Sequence, residues 1–182
     1  TKDIRKYATT YDKNTGKVQW RIKVNPNHKD ISGWRVVDSL PYPMTGGFKV
    51  WSDESDYTAE GGGAGDTYID FTFPSNLTDA QKTASYYIGF WADVPSTDGE
   101  TSNTAYLYPP DGKNQSDTGI VDIQHRTWDV SKSFGGETEK DGGLYRNTWS
   151  TNVTVPEGSL STFEYVDTIE NAQDGDGSDL GP

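Results

Sequence analysis

An all-β fold built as an antiparallel β-sandwich is what this 182-residue sequence predicts, on three observations. Its apolar residues are largely aromatic or β-branched, with 6 Trp, 11 Tyr and 6 Phe, types that suit a pleated, half-buried surface. Seven short segments alternate apolar and polar residues with period two, the mark of a strand with one buried face. Between them lie turn signals rich in Gly and Pro, and nothing sustains a long 3.6-residue period.

In chain order, the alternating segments are Lys17 to Val24, Trp34 to Asp38, Phe48 to Trp51, Tyr68 to Phe73, Ser85 to Trp91, Asn103 to Tyr108 and Ile120 to Ile123. The turns fall at Asn14-Thr15-Gly16, Pro26-Asn27, Gly61-Gly62-Gly63, Pro95-Ser96 and Pro109-Pro110-Asp111-Gly112. One short helix is expected over Leu77 to Thr83. Regular short strands of this kind point to a sandwich.

Composition excludes several functions. With no Cys there is no disulfide, thiolate nucleophile or cysteine-bound metal centre. The formal net charge of −12 argues against nucleic acid as a partner, because phosphates need clustered Lys and Arg. No apolar run approaches the roughly 18 residues of a membrane span, so no membrane insertion is expected. Thr1-Lys2-Asp3 does not open a signal peptide, as expected for a soluble fragment or mature segment. No cofactor is called for.

Internal repetition is the most informative feature. Asp3-Ile4-Arg5-Lys6 recurs 126 residues later as Asp129-Val130-Ser131-Lys132. Val37-Asp38-Ser39-Leu40 recurs 129 residues later as Val166-Asp167-Thr168-Ile169, and Trp20 recurs at the same offset as Trp149. Trp and Asp are 18 residues apart in both copies. The chain therefore reads as one complete domain over 1–124 and the N-terminal part of a second similar domain over 125–182. No strand signal follows Ile169, and half a sandwich cannot bury its own face. The parent protein is therefore expected to continue beyond residue 182.

The first copy places a Lys at the head of its first strand, an Asp at the end of the strand from Trp34, and an Asn early in the strand opening Ser102-Asn103. Brought together in a core, these three permit one reaction. Burial favours the neutral amine and the protonated carboxyl. The amine can then attack a carboxamide carbonyl polarised by that carboxyl, expelling ammonia and leaving an isopeptide cross-link.

Lys6, then Thr15 to Asn25, Val36 to Pro41, and Ser102-Asn103-Thr104-Ala105 together resemble the collagen-adhesin (Cna-type) repeat of Gram-positive surface adhesins and pilins. The likeness covers residues 1–124 and resumes over about 129–170. It implies an immunoglobulin-like sandwich with a spontaneous Lys–Asn isopeptide bond, in a secreted, extracellular, cell-wall-anchored adhesin or stalk. Carried over by position, Lys6 is the amine donor, Asn103 the acceptor and Asp38 the assisting acid; Lys2 is a weaker donor. Lys132 and Asp167 match donor and acid in the second copy. Asn171 follows the acid too closely to serve as its acceptor.

The implied function is a structural and adhesive module, its chemistry a single autocatalytic event and not enzymatic turnover. Its partners would be neighbouring domains of the same chain and, as the alternative reading, a host extracellular-matrix protein or a glycan. Trp20, Trp34, Trp51, Tyr86, Tyr87, Phe90 and Trp91 are expected mainly to fill the core. The Tyr86-Tyr87 and Phe90-Trp91 pairs, however, each send one ring outward, where an aromatic platform for sugar could form. No metal site is expected: His28 and His125 lack converging ligands and read as exposed loop residues, and Asp174-x-Asp176-x-Ser178 lacks the Gly and Glu of a calcium loop. Gly61 to Gly65 reads as a flexible loop. A hydrolase would need a paired set of carboxylates or a triad, and no spacing singles one out.

Overall fold

The computed structural model describes residues 1–156 and 162–168, in two compact units that divide between His125 and Arg126. The first unit contains β1 (Ile4–Asp12), β2 (Lys17–Val24), β3 (Arg35–Ser39), β4 (Phe48–Trp51), β5 (Ala59–Gly61), β6 (Tyr68–Thr72), α1 (Asp79–Lys82), β7 (Tyr86–Asp93), β8 (Gly99–Tyr108) and β9 (Gln115–Ile123). These strands form a five-stranded sheet in the order β1-β2-β7-β4-β5 and a four-stranded sheet in the order β6-β3-β8-β9. Every pairing is antiparallel, and the fold is the all-β sandwich the sequence predicts. Among the described residues no helix is long and apolar enough to cross a membrane.

The alternation in sequence becomes the two faces of each sheet. In β2, Val18, Trp20, Ile22 and Val24 are buried, while Lys17, Gln19, Arg21 and Lys23 between them remain partly exposed. The inward residues meet Val36, Ile69, Ala105 and Leu107 of the second sheet in one apolar core. The helix expected at 77–83 is a single turn, opened by a capping box between Thr78 and Gln81. It is anchored by the Tyr86 hydroxyl, which donates to the Gln81 carbonyl at 2.6 Å.

Three features depart from the sequence reading. β5 pairs with β4, but a three-residue strand reading Ala-Glu-Gly carries too little alternation to be seen. Its last residue, Gly61, begins the glycine run expected to be a flexible loop, and that run is a defined turn. Gly62 adopts a left-handed φ of 67°, and Asp66 accepts the Gly63 N–H at 2.9 Å. Finally, β9 begins at Gln115, well before Ile120. Its first half is polar, and its strand state comes from pairing with β8, from Leu107↔Gln115 to Gly99↔Ile123.

The sandwich is closed where β1, at the edge of one sheet, runs beside β9, at the edge of the other. Asp117 accepts the Lys6 backbone N–H at 2.7 Å. Gln115 accepts the Asp3 N–H at 2.7 Å and donates to the Asp3 carboxylate at 2.9 Å. These side chains satisfy edge groups that would otherwise lack ladder partners. Gly119 makes the close approach possible, since a Cβ there would lie 2.9 Å from the Trp20 ring, 3.0 Å from Tyr7 Cα and 3.1 Å from the Lys6 carbonyl. Two of those three neighbours are backbone and cannot swing away. Gly119→Ala is therefore expected to destabilise the unit by about 1–3 kcal/mol through overpacking, which thermal unfolding would register as a lower Tm; an unchanged Tm would show that the seam yields.

In the second unit, β10 (Asp129–Lys140) and β11 (Leu144–Thr154) form an antiparallel hairpin. The internal repeat is visible in its register. In the first unit Ala8 faces Trp20, and the register shifts between Ala8 and Thr10. In the second Phe134 faces Trp149, and the register shifts between Phe134 and Gly136. Each irregularity thus begins two residues after the repeated lysine, Lys6 or Lys132.

Candidate functional site

Lys6 lies on β1, in register with Ile22, and its side chain points into the sandwich. Asp38 lies on β3 in the opposite sheet, paired with Ala105 of β8. Asn103 is two residues from Ala105 and so shares the inward face of β8. The three residues come from three strands and two sheets, and all are buried, at 3%, 0% and 3% exposure respectively.

Lys6 Nζ donates to Asp38 Oδ2 at 2.6 Å, and neither side chain has any solvent exposure. The amine also sits over two rings of its own sheet, 4.3 Å from the centroid of Phe90 and 5.1 Å from that of Trp20. Burial lowers the Lys6 pKa to about 8, against the opposing pull of Asp38. Burial likewise raises that of Asp38, against the pull of Lys6 and a smaller one from Asn103. Both shifts favour the neutral forms, because desolvation outweighs the mutual attraction.

Asn103 is unusual in a different way. Neither its carboxamide oxygen nor its nitrogen makes a hydrogen bond of ordinary geometry, and Asp38 Oδ1 is equally unpartnered. A buried polar group left without partners costs about 1–3 kcal/mol, so native structures seldom keep one without a reason. Here the unpartnered carboxamide stands with a desolvated amine and a carboxyl that burial favours in its protonated form.

The other residues singled out in the sequence fall elsewhere. Lys2, the weaker donor, is 61% exposed and donates to the Ser116 carbonyl at 2.8 Å. His28 is an exposed residue with its Nδ1 2.9 Å from the Thr83 carbonyl oxygen. His125, expected to be exposed, is instead only 23% exposed in its side chain and sits 2.8 Å from Asp98, because the chain leaving β9 folds it against the edge ring of Tyr11. Trp20, Trp34, Tyr86 and Phe90 fill the core. Asn171 and the 174–179 segment lie outside the described residues.

In the second unit Lys132 Nζ donates to both carboxylate oxygens of Asp167, at 2.8 and 2.7 Å, and lies 5.0 Å from the Trp149 ring centroid. The lysine, acid and indole of the first unit thus recur as a group. Here the lysine and acid side chains are 33% and 40% exposed.

Sequence reasoning did not find the parts played by Phe90 and Asp117. Phe90 is one of many inward aromatics, and only the register Trp20↔Phe90 places its ring beside Lys6. Asp117 lies in the polar half of β9, where no pattern marks it.

No protein-family model matches the sequence, and no curated protein does. Solved structures to which this chain is similar include three adhesin structures. One is a collagen-binding domain from a Staphylococcus aureus adhesin, at 13% identity and TM-score 0.49, covering 68% of this chain and 99% of that one. Another is the collagen-binding domain of the Erysipelothrix rhusiopathiae surface protein RspB, at 11% identity and TM-score 0.44, covering 66% of this chain and 49% of that one. The third is the collagen adhesin (CNA) from S. aureus, at 12% identity and TM-score 0.47, covering 85% of this chain and 53% of that one. This chain thus spans about half the length of the second and third.

Proposed function

We propose that residues 1–124 form a self-locking structural module of an extracellular adhesive protein, closed by an isopeptide bond between Lys6 and Asn103 with Asp38 as the assisting acid. The observation that carries this reading is the buried Lys6–Asp38 pair beside a buried, unpartnered Asn103 carboxamide. The sequence likeness to the collagen-adhesin repeat supplies the setting: a cell-wall-anchored adhesin or pilus-like stalk, with a host matrix protein as its ligand class. Residues 125–182 are then the opening part of a second module carrying Lys132 and Asp167.

The chemistry follows from the geometry. A proton passes along the 2.6 Å hydrogen bond from Lys6 to Asp38, leaving a neutral amine and a neutral carboxyl. The amine lone pair attacks Asn103 Cγ, while the Asp38 O–H hydrogen-bonds the carbonyl oxygen and stabilises the charge that develops there. Asp38 gives the proton it took from Lys6 to Nδ2 and receives the second proton from Nζ; the Cγ–Nδ2 bond breaks, ammonia leaves, and Asp38 ends as the carboxyl. The Nζ–Cγ amide remains. Asp38 is returned as the carboxyl, but the Lys6 amine and the Asn103 carboxamide are consumed, so the reaction runs once per molecule. Intact mass spectrometry tests the bond directly.

The rate should carry the signature of a shared proton. The ion pair and the neutral pair hold the same number of protons, so the reactive fraction is flat while the pair retains one. Above about pH 8 that proton is lost, and the rate is expected to fall by about tenfold per pH unit. At low pH both groups are protonated once the medium falls below the raised Asp38 value, and the rate falls again. Refolding the chain from denaturant across pH and timing the mass loss gives the profile; a rate that keeps rising above pH 9 would exclude Asp38 as the acid.

A further inference from the structure

The outward face of the five-stranded sheet carries a second arrangement. Arg5 on β1, Arg21 and Lys23 on β2, and Lys49 on β4 occupy positions that alternate with buried ones. None of the four makes an ion pair with a described residue. On the outer face of the opposite sheet, by contrast, Arg35 is held by Asp70 in a two-pronged pair at 2.8 Å. In a chain of net charge −12, this face thus carries more cations than acids, its acids including Glu60 opposite Lys49 and Asp93 paired with Lys17.

Aromatic rings are interleaved with them. Trp51 stacks on Tyr87 with centroids 5.5 Å apart and planes inclined by 28°. The Arg21 guanidinium lies 5.1 Å from Trp51 and 5.5 Å from Tyr87, with its Nε buried and lacking a hydrogen-bond partner. Gly89 allows the indole to pack down on the sheet, because a Cβ there would be 2.7 Å from Trp51 Cη2. Beside it runs a shallow groove of about 400 Å³ lined by Gln19, Thr45, Lys49, Trp51, Gly89 and Trp91.

We propose that this groove binds an acidic polysaccharide, with a pyranose ring stacked on Trp51 and its carboxylate or sulfate groups held by Arg21 and Lys49. A flat indole accepts the apolar face of a sugar, and Gln19 and Thr45 supply neutral hydrogen-bonding groups. Charge complementarity selects a polyanion over a neutral glycan. Glu60 stands opposite Lys49 across the β4–β5 ladder and offsets part of its charge, while acids more than about 8 Å away are largely screened at physiological ionic strength. The site is independent of the cross-link, because Lys6 points to the other face of the same sheet.

Binding of heparin oligosaccharides to the intact chain, measured by calorimetry at 0.05 and 0.15 M NaCl, tests it, with neutral dextran and a triple-helical collagen-like peptide as comparison probes. Saturable heparin binding that weakens with salt is expected, together with no response to dextran. Lys49→Gln, Arg21→Gln and Trp51→Ala should each weaken it by roughly tenfold. Arg35→Gln makes the same change in net charge on the other sheet and should leave it unaltered. Lys49 is exposed, so its variant remains folded even if loss of Trp51 proves disruptive. No heparin binding, equal weakening by Arg35→Gln, or capture of dextran or the collagen-like peptide alone would each overturn the assignment.

Discussion

The intact mass of the folded chain is expected to lie about 17 Da below the sum of its residues, the ammonia expelled when an amine acylates on a carboxamide. Lys6→Ala and Asn103→Ala should restore the full mass, because each removes one of the two atoms that become joined. Asp38→Asn should also restore it: the substituted amide fills the same space but cannot take the lysine proton and return it to the leaving nitrogen. Removing Asp38 leaves Lys6 buried without its counter-charge, a loss of about 3–5 kcal/mol, so this variant will also be much less stable. The Asn103 variant is the cleaner probe, since it keeps the Lys6–Asp38 pair intact. An unshifted mass in the natural chain, or a shift that survives Lys6→Ala, would remove the proposal. A peptide joined through the exposed Lys2 would move the donor.

Thermal unfolding of Asn103→Ala should separate a cross-linked module from one that is merely packed. With no hydrogen bond of ordinary geometry to lose at Asn103, the substitution in an unlinked chain is expected to change stability little. In a linked chain it deletes a covalent closure spanning the 97 residues between positions 6 and 103. The chain-entropy treatment of cross-links values a closure of that size at about 4–5 kcal/mol. For a unit of this length that corresponds to a fall in Tm of roughly 15–20 °C. A rise or no change in Tm would argue that the cross-link adds no stability to the unit.

The repeat made much of the site legible. Lys6 and Lys132, Trp20 and Trp149, and Asp38 and Asp167 could be aligned because a strand's side-chain period is rigid. An alignment in sequence therefore becomes an alignment in space. The structure adds that both lysines stand over the matched indole, and that both register shifts begin at the same step along the strand. What could not be read was anything set by approach between sheets. Phe90 reaches Lys6 only through the β2–β7 register. Asp117 reaches the Lys6 amide only because β9 closes against β1 over the bare Gly119. The short β5 and the polar start of β9 were missed for a related reason: their strand state comes from a neighbour's ladder and not from their own alternation.

By itself the sequence determined an all-β antiparallel sandwich, the inward and outward face of most strands, the tandem repeat, and three residue types able to form an amide. These follow from local rules, since alternation, turn chemistry and spacing act within a few residues. The tertiary structure alone decided that Lys6 and Asp38 lose all contact with water, that Asn103 is left without partners, and that unpaired cations and a packed-down indole share one outer face. Desolvation and charge compensation depend on every chain segment that surrounds a group, and those segments come from strands far apart in sequence.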